Sequence, residues 1–205
     1  MLLVVAAVAW PWLLAAVLRH TKHGMPGAVF LICVATQALV VLAATLGGTA
    51  LAWAALLFFC LGLVLYVYAL VHFDVRQVGQ GLGDQWVAGG AMAISALAGS
   101  KLVTSPVFTG TLHQALRVVT LVLLCIAFAW YVVLLAAEFL RPRLHFDIRR
   151  WATVFPLGMT GVAALSVAAA EHYSWLHTPG QVLTWIGAVA WLATVAAMLY
   201  AGRAD

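Results

Sequence analysis

The sequence predicts an all-α membrane protein of about seven transmembrane helices, and three observations carry the prediction. First, 66% of the 205 residues are hydrophobic and only 8% are charged, with a mean hydropathy of +1.09; a soluble domain carries about 25% Asp, Glu, Lys and Arg to solvate its surface. Second, the apolar residues fall into seven runs, each close to the ~20 residues needed to cross a hydrocarbon core of ~30 Å. Third, the runs are continuous, whereas a membrane barrel alternates apolar and polar residues in segments of about 10. Disordered, collagen-like and disulfide-rich chains are excluded by the same hydropathy, by only 17 glycines and by only 3 cysteines.

The runs span 1–18, 27–46, 50–71, 86–103, 115–138, 151–170 and 179–202 and make one transmembrane domain over 1–205. The first reads as a retained helix and not a signal peptide: no basic segment precedes it, and it continues through Trp10 and Pro11 to Arg19. Gly47, Gly48 and Thr49 join the second run to the third, residues around 104–113 join the fourth to the fifth, and residues around 171–178 join the sixth to the seventh. These short connections predict three helical hairpins on one side of the membrane, with the first helix unpaired. Cys33, Cys60 and Cys125 sit in separate runs as small apolar filler, without the spacing of a metal or redox motif.

Lys and Arg beside a span are retained on the cytoplasmic side. Arg19, Lys22, Arg76, Arg141, Arg143, Arg149, Arg150 and Arg203 fall on one face, and Lys101 and Arg117 on the other. The C-terminus is therefore expected in the cytoplasm of a multi-pass cell-membrane protein, and Met1 outside. An external N-terminus without a signal implies that an odd number of helices once preceded it. The net charge of +4 and the pI near 9.3 follow from this bias and need no nucleic acid. The basic stretch 141–150 reads as an anchor beside anionic headgroups, so the lipid bilayer is the expected partner.

Composition separates inner from outer helices, because Gly, Ala, Ser and Thr let helix backbones approach closely in lipid. The fourth run has 10 such residues in 18 and the sixth has 11 in 20, against 6 in 22 for the third. The third and fifth carry bulk that suits lipid, such as Trp53, Phe58, Tyr66, Phe128 and Tyr131. An inner ring of the second, fourth and sixth helices follows, with the third, fifth and seventh outside. This is a repeat of two helices around a partial central pore, a common transporter and channel plan.

The spans hold no candidate for acid–base, redox or metal chemistry. Glu138, Glu171, Asp74, Asp84 and Asp147 lie at span ends or in connections, and so do all seven histidines. Proton relays and haem ligation need such groups inside the spans, and a retinal protein needs a lysine in the last one. No enzyme, cofactor or metal is expected. The polar groups that do fall inside are mild: Thr36 and Gln37, Ser95 and Ser100, Thr160 and Ser166. Such groups either hydrogen-bond a neighbouring helix or help a partly dehydrated ion without trapping it. In the sixth run, Pro156 removes a hydrogen bond to the carbonyl of Ala152 and predicts a bend, with Phe155 beside it and Gly158 one turn on. An aromatic ring at a constriction gates by dewetting; the competing reading is a lipid-facing Phe beside an ordinary proline.

Trp151, Phe155, Pro156 and Gly158 resemble the ninth-helix signature of the tellurite-resistance/dicarboxylate transporter family, which includes bacterial permeases and the plant slow anion channels. Residues 30–39 look like that family's fifth helix and 86–99, which include Gly89 and Ser95, like its seventh. The resemblance covers nearly the whole chain as helices four to ten of a ten-helix fold, with three N-terminal helices absent. It implies hairpins around a pore lined by odd-numbered helices, with the ninth-helix phenylalanine blocking the lumen, which is Phe155 here. With Phe155, the pore and gate candidates are Pro156, Gly158, Thr36, Gln37, Gly89, Ser95 and Thr160, all on the helices that the resemblance places inside; it also implies small anions or dicarboxylates as substrates and an association of three copies. The rival expectation is a non-conducting membrane scaffold or accessory subunit, or a non-functional fragment of the transporter.

Overall fold

A computed structural model describes residues 2–142 and 147–201; Met1, Arg143, His145 and Arg203 lie outside the described residues. The elements are α1 (Leu2–His20), a 3-10 turn (Gly27–Phe30) opening into α2 (Leu31–Leu46), α3 (Thr49–His72), the short α4 (Arg76–Gln80), α5 (Trp86–Val103), α6 (Gly110–Leu140), α7 (Arg150–Glu171) and α8 (Ser174–Ala201). All but α4 are long and apolar enough to cross a membrane, and no strand occurs among the described residues. One isolated bridge ties the loop after α1 to the end of α3: Met25 N–H donates to the His72 carbonyl at 2.8 Å, and Asp74 N–H to the Met25 carbonyl at 3.0 Å.

Packing follows the hairpins. α2 lies on α3, α5 on α6 and α7 on α8, and α5 touches α2, α3, α6 and α7. The α2–α3 turn is tight because Gly47 and Gly48 take φ of 75° and 93°, a region open to glycine at little cost. The burial order follows the small-residue content read from the sequence. The best spanning window of α5 is 89% buried, against half for α2 and α7, 11% for α8 and none for α1.

Two helices, α6 and α8, start five residues before their apolar runs. α6 begins at Gly110, before the run at 115, because Thr111, His113 and Gln114 continue the helix beyond the hydrocarbon; its 31 residues would span ~46 Å. α8 begins at Ser174 and contains Pro179. A proline there removes one hydrogen bond, and the carbonyl it frees belongs to the exposed Trp175, at the helix end. At that end Arg117 of α6 meets Glu171 at 2.5 Å and donates to the Tyr173 hydroxyl at 2.9 Å, fastening α6 to the α7–α8 turn.

The α7–α8 contact is a backbone-to-backbone seam. A Cβ added at Gly187 would stand 2.6 Å from the Gly158 Cα, and one at Gly161 would stand 2.5 Å from the Thr184 backbone N. Neither obstacle is a side chain that can rotate away. At Gly158 an added Cβ meets nothing within 4 Å. Gly187→Ala is therefore expected to destabilise the protein by about 1–3 kcal/mol, the usual cost of overpacking, whereas Gly158→Ala leaves stability unchanged or raised. Thermal unfolding of both variants in the same detergent checks this asymmetry.

Candidate functional site

The local order around Phe155 starts with Pro156. α7 runs unbroken from Arg150 to Glu171 through this residue. The Pro156 ring is buried and lies against α5: a Cβ placed on Gly90 would stand 2.9 Å from Pro156 Cγ and 3.3 Å from Phe155 Cε1. Phe155 thus leans its ring edge on the central helix while 38% of the residue stays exposed. The spacing 155, 158, 162 puts Phe155, Gly158 and Val162 on one face of α7. That face is open: Val162 is exposed and the space beside Gly158 is empty of protein atoms. On the other side Leu157 packs with Trp86, Tyr131 and Leu134 of α5 and α6.

The remaining polar candidates each have a partner, and all but the half-buried Ser166 are buried. Thr160 is 2% exposed and its hydroxyl donates to the Pro156 carbonyl at 2.9 Å, one turn back on α7. Ser95 donates to the Ala91 carbonyl at 2.7 Å and lies 3.8 Å from Cys33 Sγ, so it faces α2. Ser100 and Ser166 meet at 2.8 Å and link α5 to α7.

Thr36 and Gln37 stand elsewhere. Thr36 accepts from Trp10 Nε1–H at 2.9 Å and donates to the Ile32 carbonyl at 2.7 Å, which turns it toward α1. Gln37 fills the notch left by Gly62 and donates to the Phe59 carbonyl at 3.2 Å, which turns it toward α3; its Oε1 is buried without a partner. Gly89 faces α6, where an added Cβ would stand 3.3 Å from Leu134 Cδ1 and from Trp130 Cβ. The eight candidates therefore do not share one lining. Phe155, Pro156 and Gly158 form a compact group on α7, Thr160 adjoins it, and Ser95 sits one helix away. Thr36, Gln37 and Gly89 mediate contacts between other helices. Interhelical bonding was one of the two roles open to a glutamine inside a span.

Sequence reasoning passed over Gly90 and Trp10. The signal for Gly90 was the doublet Gly89-Gly90: consecutive helical residues point about 100° apart, so the pair serves two different neighbours, α6 and α7. Trp10 carries no local signal for its bond to Thr36, which lies 26 residues away.

Cavities flank this inner set. One of about 490 Å³ runs between α1 and α2 with an apolar lining that includes Trp10, Leu13 and Ile32. A second, of about 400 Å³, opens between α6, α7 and α8 beside Trp86, Glu138, Arg150 and Thr194. There Trp86 Nε1–H donates to Glu138 at 3.4 Å.

Apolar helices packed in hairpins about one small-residue helix, with their ionisable groups towards the ends, define a polytopic α-helical membrane protein. Residues 1–199 match the family described as voltage-dependent anion channel, and the chain belongs to that family. It is also 31% identical over 122 residues to uncharacterized membrane proteins of two Mycobacterium tuberculosis strains, CDC 1551 / Oshkosh and H37Rv. Each match covers 56% of this chain and 62% of the relative, so the chain spans less than two thirds of those relatives' length. No solved structure matches it.

Trp10 supplies a polar tie between α1 and the rest of the bundle, since the best spanning window of α1 contains no buried residue. Trp10→Phe removes the bond to Thr36 and keeps the ring contact with Phe58. It is expected to loosen α1 by about 0.5–1.5 kcal/mol, seen as faster hydrogen exchange in 2–20 while α5 is unchanged.

Proposed function

We propose that this chain forms the wall and gate of a membrane pathway for small anions, with Phe155 as the gate. Family membership supports the anion-channel or transporter class. The observation that carries the gate is the seating of the Phe155–Pro156 turn against the glycine of the central helix, with the ring on an open face of α7. In this reading an aromatic ring in that position would narrow a passage walled in part by α2, α5 and α7 and exclude water from it, which is enough to stop ions. Pro156, Gly158 and Thr160 hold and clear the space around the ring, and Ser95 offers a neutral hydroxyl further along the central helix. Thr36, Gln37 and Gly89 act in this reading by holding the inner helices to their neighbours.

The substrates in this reading are small inorganic anions or organic dicarboxylates of the kind handled by tellurite-resistance permeases. With the charged side chains at helix ends, attraction would come from neutral dipoles and from the basic rim that includes Arg141, Arg149 and Arg150. The protein would sit in the cell membrane with its C-terminus in the cytoplasm, as the distribution of Lys and Arg favours. Three copies would associate in this reading.

The rival reading, a non-conducting packed subunit, draws support from α5, where every residue but Lys101 is buried. Chloride flux into proteoliposomes separates the two. Phe155→Ala is expected to raise flux by roughly tenfold, as removal of a barrier of about 1.4 kcal/mol would. Equal flux in both proteins would remove the gate, and no flux in either would favour the packed subunit.

A further inference from the structure

We propose that Gly90 is a positioning residue that seats Phe155 in its resting, flux-blocking orientation; this rests on the reading of Phe155 as the gate. A phenylalanine that is 38% exposed on a helix face has several rotamers open to it unless something holds the ring. On α5 that hold falls at Gly90. Of the glycines in this helix, Gly89 and Gly99 face Trp130, Leu134 and Thr120 of α6, and Gly90 faces the Phe155–Pro156 turn of α7. The missing side chain leaves a notch whose far wall is the pyrrolidine ring, and the edge of the Phe155 ring closes its side.

The nature of that wall decides what a methyl group would do. Beside Gly89 the nearest atoms, Leu134 Cδ1 and Trp130 Cβ, both stand 3.3 Å from an added Cβ, a contact that a shift of a few tenths of an ångström relieves. Beside Gly90 they are Pro156 Cγ at 2.9 Å and Cβ at 3.2 Å. A proline ring is closed onto its own backbone and cannot rotate away. An alanine at 90 must therefore push the α7 backbone from α5 or tip the turn, and Phe155 moves with it because it is the adjacent residue. Glycine is otherwise a poor residue for mid-helix, so the space it leaves opposite Pro156 accounts for its presence.

The test is a double-mutant cycle on chloride flux in proteoliposomes, using the wild type, Gly90→Ala, Phe155→Ala and the double variant. Gly90→Ala is expected to raise flux about fivefold when Phe155 is present and to add nothing in the Phe155→Ala background. If Phe155→Ala raises flux while Gly90→Ala leaves it unchanged, lowers it or raises it equally in both backgrounds, Gly90 is not the seat and the gate stands. If Phe155→Ala changes nothing, the gate falls and the seat falls with it. Should Gly90→Ala fail to fold, a fluorinated phenylalanine at 155 in the otherwise unaltered chain reads the ring directly. One restrained ring environment by fluorine NMR supports the seat, and a freely averaging ring overturns it.

Discussion

A helix in lipid gains little by burying apolar surface against another helix, because the acyl chains are as apolar as the protein. Close approach and the dispersion contacts that come with it are what hold a bundle together. The whole arrangement of this protein depends on one helix that permits such approach on every side. α5 carries ten small residues in eighteen, and its neighbours α2, α3, α6 and α7 all reach it. Had α5 the composition of α3, the hairpins would stand apart and no common centre would exist.

The glycines of α5 assign partners as well as space. Gly89 and Gly99 admit α6, and Gly90 admits the proline turn of α7. α7 is then held from its other side by α8, through the seam of Gly158, Gly161, Gly180 and Gly187. A helix fixed between two such contacts has little freedom to roll. The direction in which it presents Phe155 is therefore set by backbone packing against the central helix and not by the phenylalanine itself.

The broad plan was legible in the sequence because hydropathy and side-chain size act along the chain. The density of Ala, Gly and Ser in 86–103 marked the buried helix, and the bulk of Trp53 and Phe128 marked outer ones, but Tyr66 and Tyr131, expected to face lipid, are buried because each points from its outer helix into the bundle. Helix ends were less legible: α6 runs on through Thr111 and His113, and α8 contains Pro179, because a helix end outside the hydrocarbon is held by hydrogen bonds and water and not by apolar content. The candidate site was legible only in part. Phe155 and Pro156 stood out by their chemistry and their resemblance to a known signature, but the partners of Thr36, Gln37 and Gly89 depend on which way each points. A change of one residue turns a helical side chain by about 100°, and periodicity does not fix that angle when all faces are apolar.

The most direct measurement of the central claim is labelling from within the membrane. A photoactivated carbene reagent dissolved in the bilayer marks every lipid-facing helix of the unaltered protein, and mass spectrometry reads the sites. Heavy labelling is expected in α1, α3 and α8 and none along 86–100 of α5, whose side chains are covered by neighbouring helices. Labelling of α5 comparable to that of α8 would contradict it, since the hairpins would then have no shared centre.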